Sequence, residues 1–140
     1  MILVGDHPEY PIDYHPELLP EIEGLHLVSD SLSLLEEAIS SAPQLIILNV
    51  DFWGEKAYKL CIQIKKNIRI KEIPLILINV PNEPTEKARG FQAGANDVIS
   101  KPFIHIELAK RIQQQLLNNQ YRQIQDAQTK AANSNLKCNT

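Results

Sequence analysis

Five short apolar runs recur along the chain, most of them a helix-length segment apart: Ile2-Leu3-Val4, Leu25-His26-Leu27-Val28, Leu45 to Val50, Leu75 to Val80, and Val98-Ile99. Runs this short, β-branched and without polar alternation read as strands buried on both faces, as in a parallel sheet. Parallel neighbours need a crossover, and the intervening segments are long enough to be helices, so βαβ units with helices on both faces follow. Right-handed crossovers then favour a doubly wound α/β sheet. The 140 residues suit one domain, long enough to bury most of a core.

Between the strands, Ser33 and Glu36 have the spacing of a capping box, and Leu32, Leu35, Ala38 and Ile39 make one apolar helix face. Ala57, Leu60, Cys61 and Ile64 recur at helical spacing in a helix predicted over residues 55–67. Another helix starts near Pro84 and runs to Ala93, where Gly94 supplies a stop. The segment after the first strand is different, because it carries Pro8, Pro11, Pro16 and Pro20. An interior proline costs a helix about 3 kcal/mol, so a short or broken helix, or a loop, is expected there.

The last helix starts near Ile104 and meets no breaker until Asn133. Leu108, Ile112 and Leu116 can pack on the sheet, while Leu117, Tyr121, Ile124, Gln128 and Ala131 continue at alternating steps of four and three. A domain of this size needs only about three to four turns there. The chain is therefore divided into a domain over residues 1–118 and a helical extension over 119–140, disordered from Asn133 onward. The extension offers a weak coiled-coil seam for a partner or for a homodimer.

A net charge of −3 gives no general attraction to nucleic acid, so no direct nucleic-acid contact is expected. The basic stretch from Lys65 to Lys71 spans a helix end, where lysines complement the dipole, and a structural role is preferred for it. No apolar stretch approaches the roughly 20 residues of a membrane span, and no signal-peptide pattern opens the sequence. Cys61 and Cys138 form neither a disulfide framework nor a metal-ligand spacing, which suits a reducing cytoplasm. The histidines His7, His15, His26 and His105 are scattered, and only His7 borders a strand end, where a capping or solvent-facing role is the plain reading.

In an open α/β sheet the functional crevice lies just past the carboxyl ends of the strands. Asp6, Asn49, Asn79 and Lys101 occupy such ends. This layout suits phosphate handling, except that the amide of Asn49 lacks the carboxylate nucleophile that phosphoryl transfer to an acid requires. No glycine-rich phosphate loop follows the first strand, where Asp6-His7-Pro8 stands, so an enzyme on this fold is not expected.

The segment from Glu86 to Phe103, with Gly94-Ala95-Asn96-Asp97 followed by Lys101-Pro102-Phe103, resembles the receiver domain of bacterial response regulators. Pro43 to Asn49 resembles that family's third strand, Ile73 to Ile78 its fourth, and Ile2 to Asp6 its first. The resemblance covers about residues 1–118 and implies the CheY-like, flavodoxin-like strand order 2-1-3-4-5. It also implies an acidic pair holding Mg²⁺, a phosphoacceptor aspartate, a Thr or Ser sensor, a lysine on the phosphate, and a switching aromatic. Carried over residue by residue, Asp6 matches the first acid and His7 replaces the second. Asn49 replaces the acceptor, Asn79 the sensor and Val98 the aromatic, while Lys101 is retained, and the family usually has a cis bond before its proline.

With two Mg²⁺ ligands altered, neither metal nor cofactor is expected, and the charge developing in phosphoryl transfer loses its stabiliser. The expected function is that of a pseudo-receiver: a phosphorylation-independent signalling protein, not an enzyme, that binds a kinase, a transcription factor or another regulator. The implied contact surface is the last two helices and the last strand, with Arg89, Gln92, Val98, His105 and Tyr121. A partly buried Lys101 is expected to pair with Asp6, with the Asn49 oxygen as a further acceptor. Two alternatives stand beside this one. In the first, the crevice senses a small molecule, as its lost carboxylates and the exposed-looking pair Phe52-Trp53 suggest. In the second, Asp51 is a displaced phosphoacceptor, although strand geometry would advance its carboxylate roughly 6 to 7 Å, away from Lys101.

Overall fold

The strands form one parallel sheet in the order β2-β1-β3-β4-β5, as expected. In the computed structural model, which describes residues 1–14 and 24–138 with side chains through Gln120 and at Ile124, they are β1 Ile2–Gly5, β2 Leu25–Val28, β3 Leu45–Asn49, β4 Leu75–Val80 and β5 Asp97–Ser100. The helices are α1 Ser31–Ser41, α2 Val50–Trp53, α3 Glu55–Lys66, α4 Pro84–Gln92 and α5 His105–Cys138.

Strand side chains alternate between two cores, because successive Cβ atoms point to opposite faces. Leu3, Ile46, Leu48, Leu75 and Leu77 pack with Leu34 and Ala38 of α1 and with Ala57, Leu60, Cys61 and Ile64 of α3. On the other face Ile2, Val4, Leu45, Ile47, Ile76 and Ile78 meet Leu108, Ala109 and Ile112 of α5, with Leu116 partly buried beside them. Both layers are therefore where the apolar runs placed them.

Local details differ from expectation. The cap of α1 is Asp30, whose carboxylate accepts from the Ser33 amide at 2.9 Å, so Ser33 lies inside the helix instead of capping it. Its buried face carries Leu34 and Ala38, while Leu32 is 63% exposed. Among residues 6–14 no helix forms, in keeping with Pro8 and Pro11; His15, Pro16 and Pro20 lie outside the described residues. At the other end α5 stays helical through Cys138, past Asn133, where disorder was expected. Asn133 and Ser134 are only mildly unfavourable in a helix, and no Pro or Gly interrupts residues 105–138.

Two glycines mark close approaches. A Cβ on Gly5 would lie 2.6 Å from the Trp53 ring. Trp53 is buried and donates its indole N–H to the Ser29 carbonyl at 3.2 Å, so it belongs to the core and is not half of an exposed pair with Phe52. Gly94 has φ +104°, and a Cβ there would meet the Lys65 side chain at 2.8 Å. The Lys65 ammonium donates to the carbonyls of Lys71 (3.2 Å) and Ile73 (2.8 Å) and to Asn96 Oδ1 (2.6 Å). The structural role preferred for this basic stretch thus holds at Lys65.

Candidate functional site

Asp6 follows β1 directly and is fully buried. Its Oδ1 accepts from the His7 amide at 2.7 Å and from Asn49 Nδ2 at 2.7 Å. Its Oδ2 accepts from the Ile12 amide at 2.9 Å and from the Tyr14 hydroxyl at 2.6 Å. A carboxylate offers about four lone-pair positions, and these four donors use them all. Burial first, and then the Asp6 carboxylate beside it, pushes the Tyr14 phenol far up, so it stays a proton donor to Asp6.

Asn49 is the hinge of the network. Because a carboxylate only accepts, the Asn49 NH₂ must face Asp6 and its Oδ1 must face away. That oxygen accepts from the Asp51 amide at 3.0 Å and from Asn79 Nδ2 at 3.2 Å. The first of these bonds makes Asn49 the N-cap of α2, which begins immediately after the strand.

This cap corrects two expectations. Past Asn49 the chain is helical, so the strand displacement assumed for Asp51 does not apply. The Asp51 carboxylate instead reaches Lys101, whose Nζ donates to Oδ1 at 2.8 Å. Lys101 is not buried against Asp6: the two partners of the observed pair are 49% and 57% exposed. An ion pair this open contributes little to stability, about 0–1 kcal/mol. The Lys101–Pro102 peptide bond is cis, as the resemblance implied.

Asn79 reaches Asn49 from an unusual backbone. Its φ is +57°, at an irregularity in the β4–β5 register between Leu77 and Val80. Asparagine tolerates this left-handed conformation, whereas a β-branched residue is strained there. Asn79→Thr is accordingly expected to lose about 1–3 kcal/mol in chemical denaturation, and Asn79→Gly less, since glycine relieves the backbone while losing the same hydrogen bond.

His7 takes the capping role. Its Nδ1 accepts from the amides of Glu9 and Tyr10, both at 3.0 Å, and its ring meets Phe52 edge-on at 5.0 Å between centroids. Among the described residues no group of three or more His, Cys, Asp or Glu side chains is placed to hold a metal ion. Since every Asp6 lone pair is also taken, the residues of this pocket do not fit Mg²⁺.

The surface residues divide. Val98 is buried beneath α4, where a Cβ on Gly90 would meet its Cγ2 at 2.7 Å, so it offers no partner surface. Arg89 is engaged within the chain: its guanidinium forks onto the Glu55 carboxylate and lies 4.2 Å above the centre of the Tyr58 ring. The fork holds the Arg89 pKa above its usual value and that of Glu55 below it. Gln92 and His105 are exposed, and so are Phe91, Ile104 and Ile106. The Tyr121 side chain lies outside the described residues. Sequence reasoning missed Ile12 and Tyr14 as partners of Asp6, because no local pattern marks which residues of an irregular segment return to a strand end.

A profile of the response regulator receiver domain matches residues 3–113. The chain is 32% identical over 119 residues to the transcriptional regulatory protein YvrH of Bacillus subtilis, covering 82% of this chain and 48% of that protein. It is 31% identical over 74 residues to the phosphate regulon transcriptional regulatory protein PhoB of Rhizobium meliloti, covering 53% of this chain and 33% of that protein. The chain thus spans half or less of the length of these curated relatives. The receiver domain of a putative Luxo repressor protein from Vibrio parahaemolyticus superposes with a TM-score of 0.74 at 20% identity, covering 88% of this chain and 93% of that one. The receiver domain of a histidine kinase from Syntrophus aciditrophicus gives 0.70 at 24%, with 84% and 89% covered. At these identities the solved structures speak for the fold.

Proposed function

Because the chain belongs to the response regulator receiver domain family of two-component signalling, we propose that it signals by binding a partner protein and not by accepting a phosphoryl group. The observation that carries this reading is the saturation of Asp6 by four hydrogen-bond donors, one of them the Asn49 amide. In an active receiver these positions hold metal and nucleophile; here they hold one another. The pocket is a structural lock between β1, β3 and the 6–14 segment. Without a metal to neutralise it, charge developing on a phosphoryl group loses its main stabiliser.

The partner in this reading is a kinase, a transcription factor or another regulator, with no direct nucleic-acid contact. The surface it uses is formed by α4 and the start of α5, where Phe91, Gln92, Ile104, His105 and Ile106 face solvent. Exposed aromatic and aliphatic anchors are what such contacts use. Farther along α5, Leu117 and Ile124 are exposed seven residues apart, the spacing of a coiled-coil seam, which supports pairing of this helix with a second copy or with a partner helix. No helix among the described residues is long and apolar enough to cross a membrane.

Incubation with acetyl phosphate and Mg²⁺, read by intact-mass spectrometry, is expected to leave the mass unchanged. A base-labile, acid-resistant adduct of one phosphoryl group would contradict the reading. A second reading is favoured by one contact, the 2.8 Å pair between Lys101 and Asp51, which sets a carboxylate beside the retained lysine. Under it the adduct forms and is lost in Asp51→Asn.

A further inference from the structure

The structural role found for Lys65 leaves most of its basic stretch unexplained. Six of the chain's fourteen lysines and arginines fall between Lys56 and Lys71, and none of its seventeen acids does. An acidic chain thus carries one strongly cationic segment. Lys65 is used on the carbonyls of Lys71 and Ile73 and on Asn96, and the charge of Lys56 acts on Asp30. Lys59, Lys66, Arg69 and Lys71 are exposed and form no ion pair among the described residues. Two acids border them. Glu55 acts on Lys59 but is itself forked by Arg89, and Glu72 follows Lys71.

Apolar side chains stand among these charges. On α3, Lys59, Ile62, Gln63 and Lys66 recur at steps of three and four, opposite the face that buries Ala57, Leu60, Cys61 and Ile64. The turn that follows is firmly built. The Asn67 side chain accepts from the Arg69 amide, its carbonyl accepts from the amides of Ile70 and Lys71, and Ile70 is buried. The Lys65 ammonium ties the far end of the turn back to the helix. This well-bonded turn nevertheless holds Ile68 82% exposed, and Ile62 on the helix is 39% exposed. Neither isoleucine belongs to either core.

This combination selects among polyanions. A nucleic-acid backbone takes the cations but offers nothing apolar to the isoleucines. An anionic lipid surface takes both, since its headgroups meet lysine and arginine while the acyl boundary accepts exposed aliphatic side chains. The outer face of a helix is convex, which suits a flat and deformable surface. We propose that the outer face of α3, with the turn over residues 67–71, docks on an anionic lipid surface. Lys59, Lys66, Arg69 and Lys71 lie at the headgroups, and Ile68 reaches the acyl boundary. The acids, all outside residues 56–71, are repelled by the same surface and orient the chain with this side toward it. Because α3 and α5 pack on opposite faces of the sheet, such docking leaves the start of α5 open to a partner protein. The patch does not depend on how the Asn49 pocket is read: the acetyl phosphate assay and the experiment below fail independently.

The test is flotation of the full chain with vesicles of equimolar phosphatidylglycerol and phosphatidylcholine, and with vesicles of phosphatidylcholine alone. In parallel, a labelled DNA duplex is titrated by fluorescence anisotropy at the same ionic strength. Binding to the phosphatidylglycerol vesicles alone is expected, and it is lost in about 1 M sodium chloride, where the screening length falls to about 3 Å. Lys66→Gln with Arg69→Gln should weaken it at least about tenfold, since each basic residue at such a surface contributes about a fivefold factor. Ile68→Ser should weaken it about three- to tenfold and leave the Tm unchanged, because this side chain belongs to neither core. The proposal is overturned by absence of binding to phosphatidylglycerol vesicles, by equal binding to phosphatidylcholine, or by undiminished binding of the double variant. Duplex binding as tight as lipid binding overturns it by assigning the patch to nucleic acid. Undiminished lipid binding of Ile68→Ser equally overturns it, because the patch would then act by charge alone.

Discussion

Replacing Asn49 by aspartate is expected to cost the protein about 3 kcal/mol at neutral pH and little in acid. The wild-type amide donates to Asp6 Oδ1 across 2.7 Å. A carboxylate in its place has nothing to donate once ionised, and sets two like charges in contact in a buried pocket. Burial and like charge both raise the pKa of the pair in the folded state above the ordinary value of about 4. A carboxyl group with a raised folded pKa contributes fully below its unfolded pKa, and its contribution is lost as pH rises through the folded pKa. The penalty relative to wild type is therefore small below about pH 4 and grows toward neutrality, at about 1.4 kcal/mol for each unit by which the pKa is raised. In acid the protonated group can still donate an O–H to Asp6, as the amide does. Urea denaturation of both proteins across this pH range reads the difference directly. A variant as stable as wild type at neutral pH would mean that the two side chains can separate, and that the pocket retains the freedom of a metal site.

Removing the other partner has a still larger expected effect. In Asp6→Ala the amides of His7 and Ile12, the Tyr14 hydroxyl and Asn49 Nδ2 all lose their acceptor inside the protein. Each stranded buried donor costs about 1–3 kcal/mol, relieved in part by water entering the space vacated. A net loss of about 4 kcal/mol or more follows, most of the margin of a domain whose stability is about 5–15 kcal/mol. Tyr14→Phe, which strands no group and merely removes one donor, should lose only about 1 kcal/mol. The sign is the informative part. An acid kept for metal binding, and held against other acids, leaves the metal-free protein more stable when it is removed, in the usual trade of stability for function. An acid kept as a hydrogen-bond hub does the opposite. Thermal melts of both variants in chelator distinguish these cases.

The sheet was legible because its signal is local and redundant. Each strand is a continuous apolar run, and the alternation of Leu45, Ile46, Ile47 and Leu48 between two cores needs only the period of a strand. The identity of the pocket residues was legible for the same reason, since strand ends are easily found. Their partners were not. Lys101 was expected to pair with Asp6 because both border the crevice, but the donors that fill Asp6 come from Ile12 and Tyr14, in a proline-rich segment without periodicity. Strand geometry alone would put Asp51 out of reach, whereas the Asn49 cap starts a helix one residue later and turns the Asp51 carboxylate toward Lys101. Trp53 looked exposed because it follows a strand end, yet Gly5, 48 positions earlier in the sequence, opens the space that buries it. The positive φ of Asn79 likewise depends on a register irregularity with β5 that no local pattern announces.

With four donors on its carboxylate, Asp6 has no lone pair left for a metal. The direct measurement is a ¹H–¹⁵N NMR titration of the wild-type chain with Mg²⁺ to millimolar concentration, followed at the amides of His7, Ile12, Asn49 and Asp51. Only the weak, unsaturating shifts of ionic strength are expected, equal to those produced by matched sodium chloride. Saturable shifts at His7 and Ile12, with loss of the Tyr14 hydroxyl proton from slow exchange, would show Asp6 leaving its donors for the metal and would contradict it.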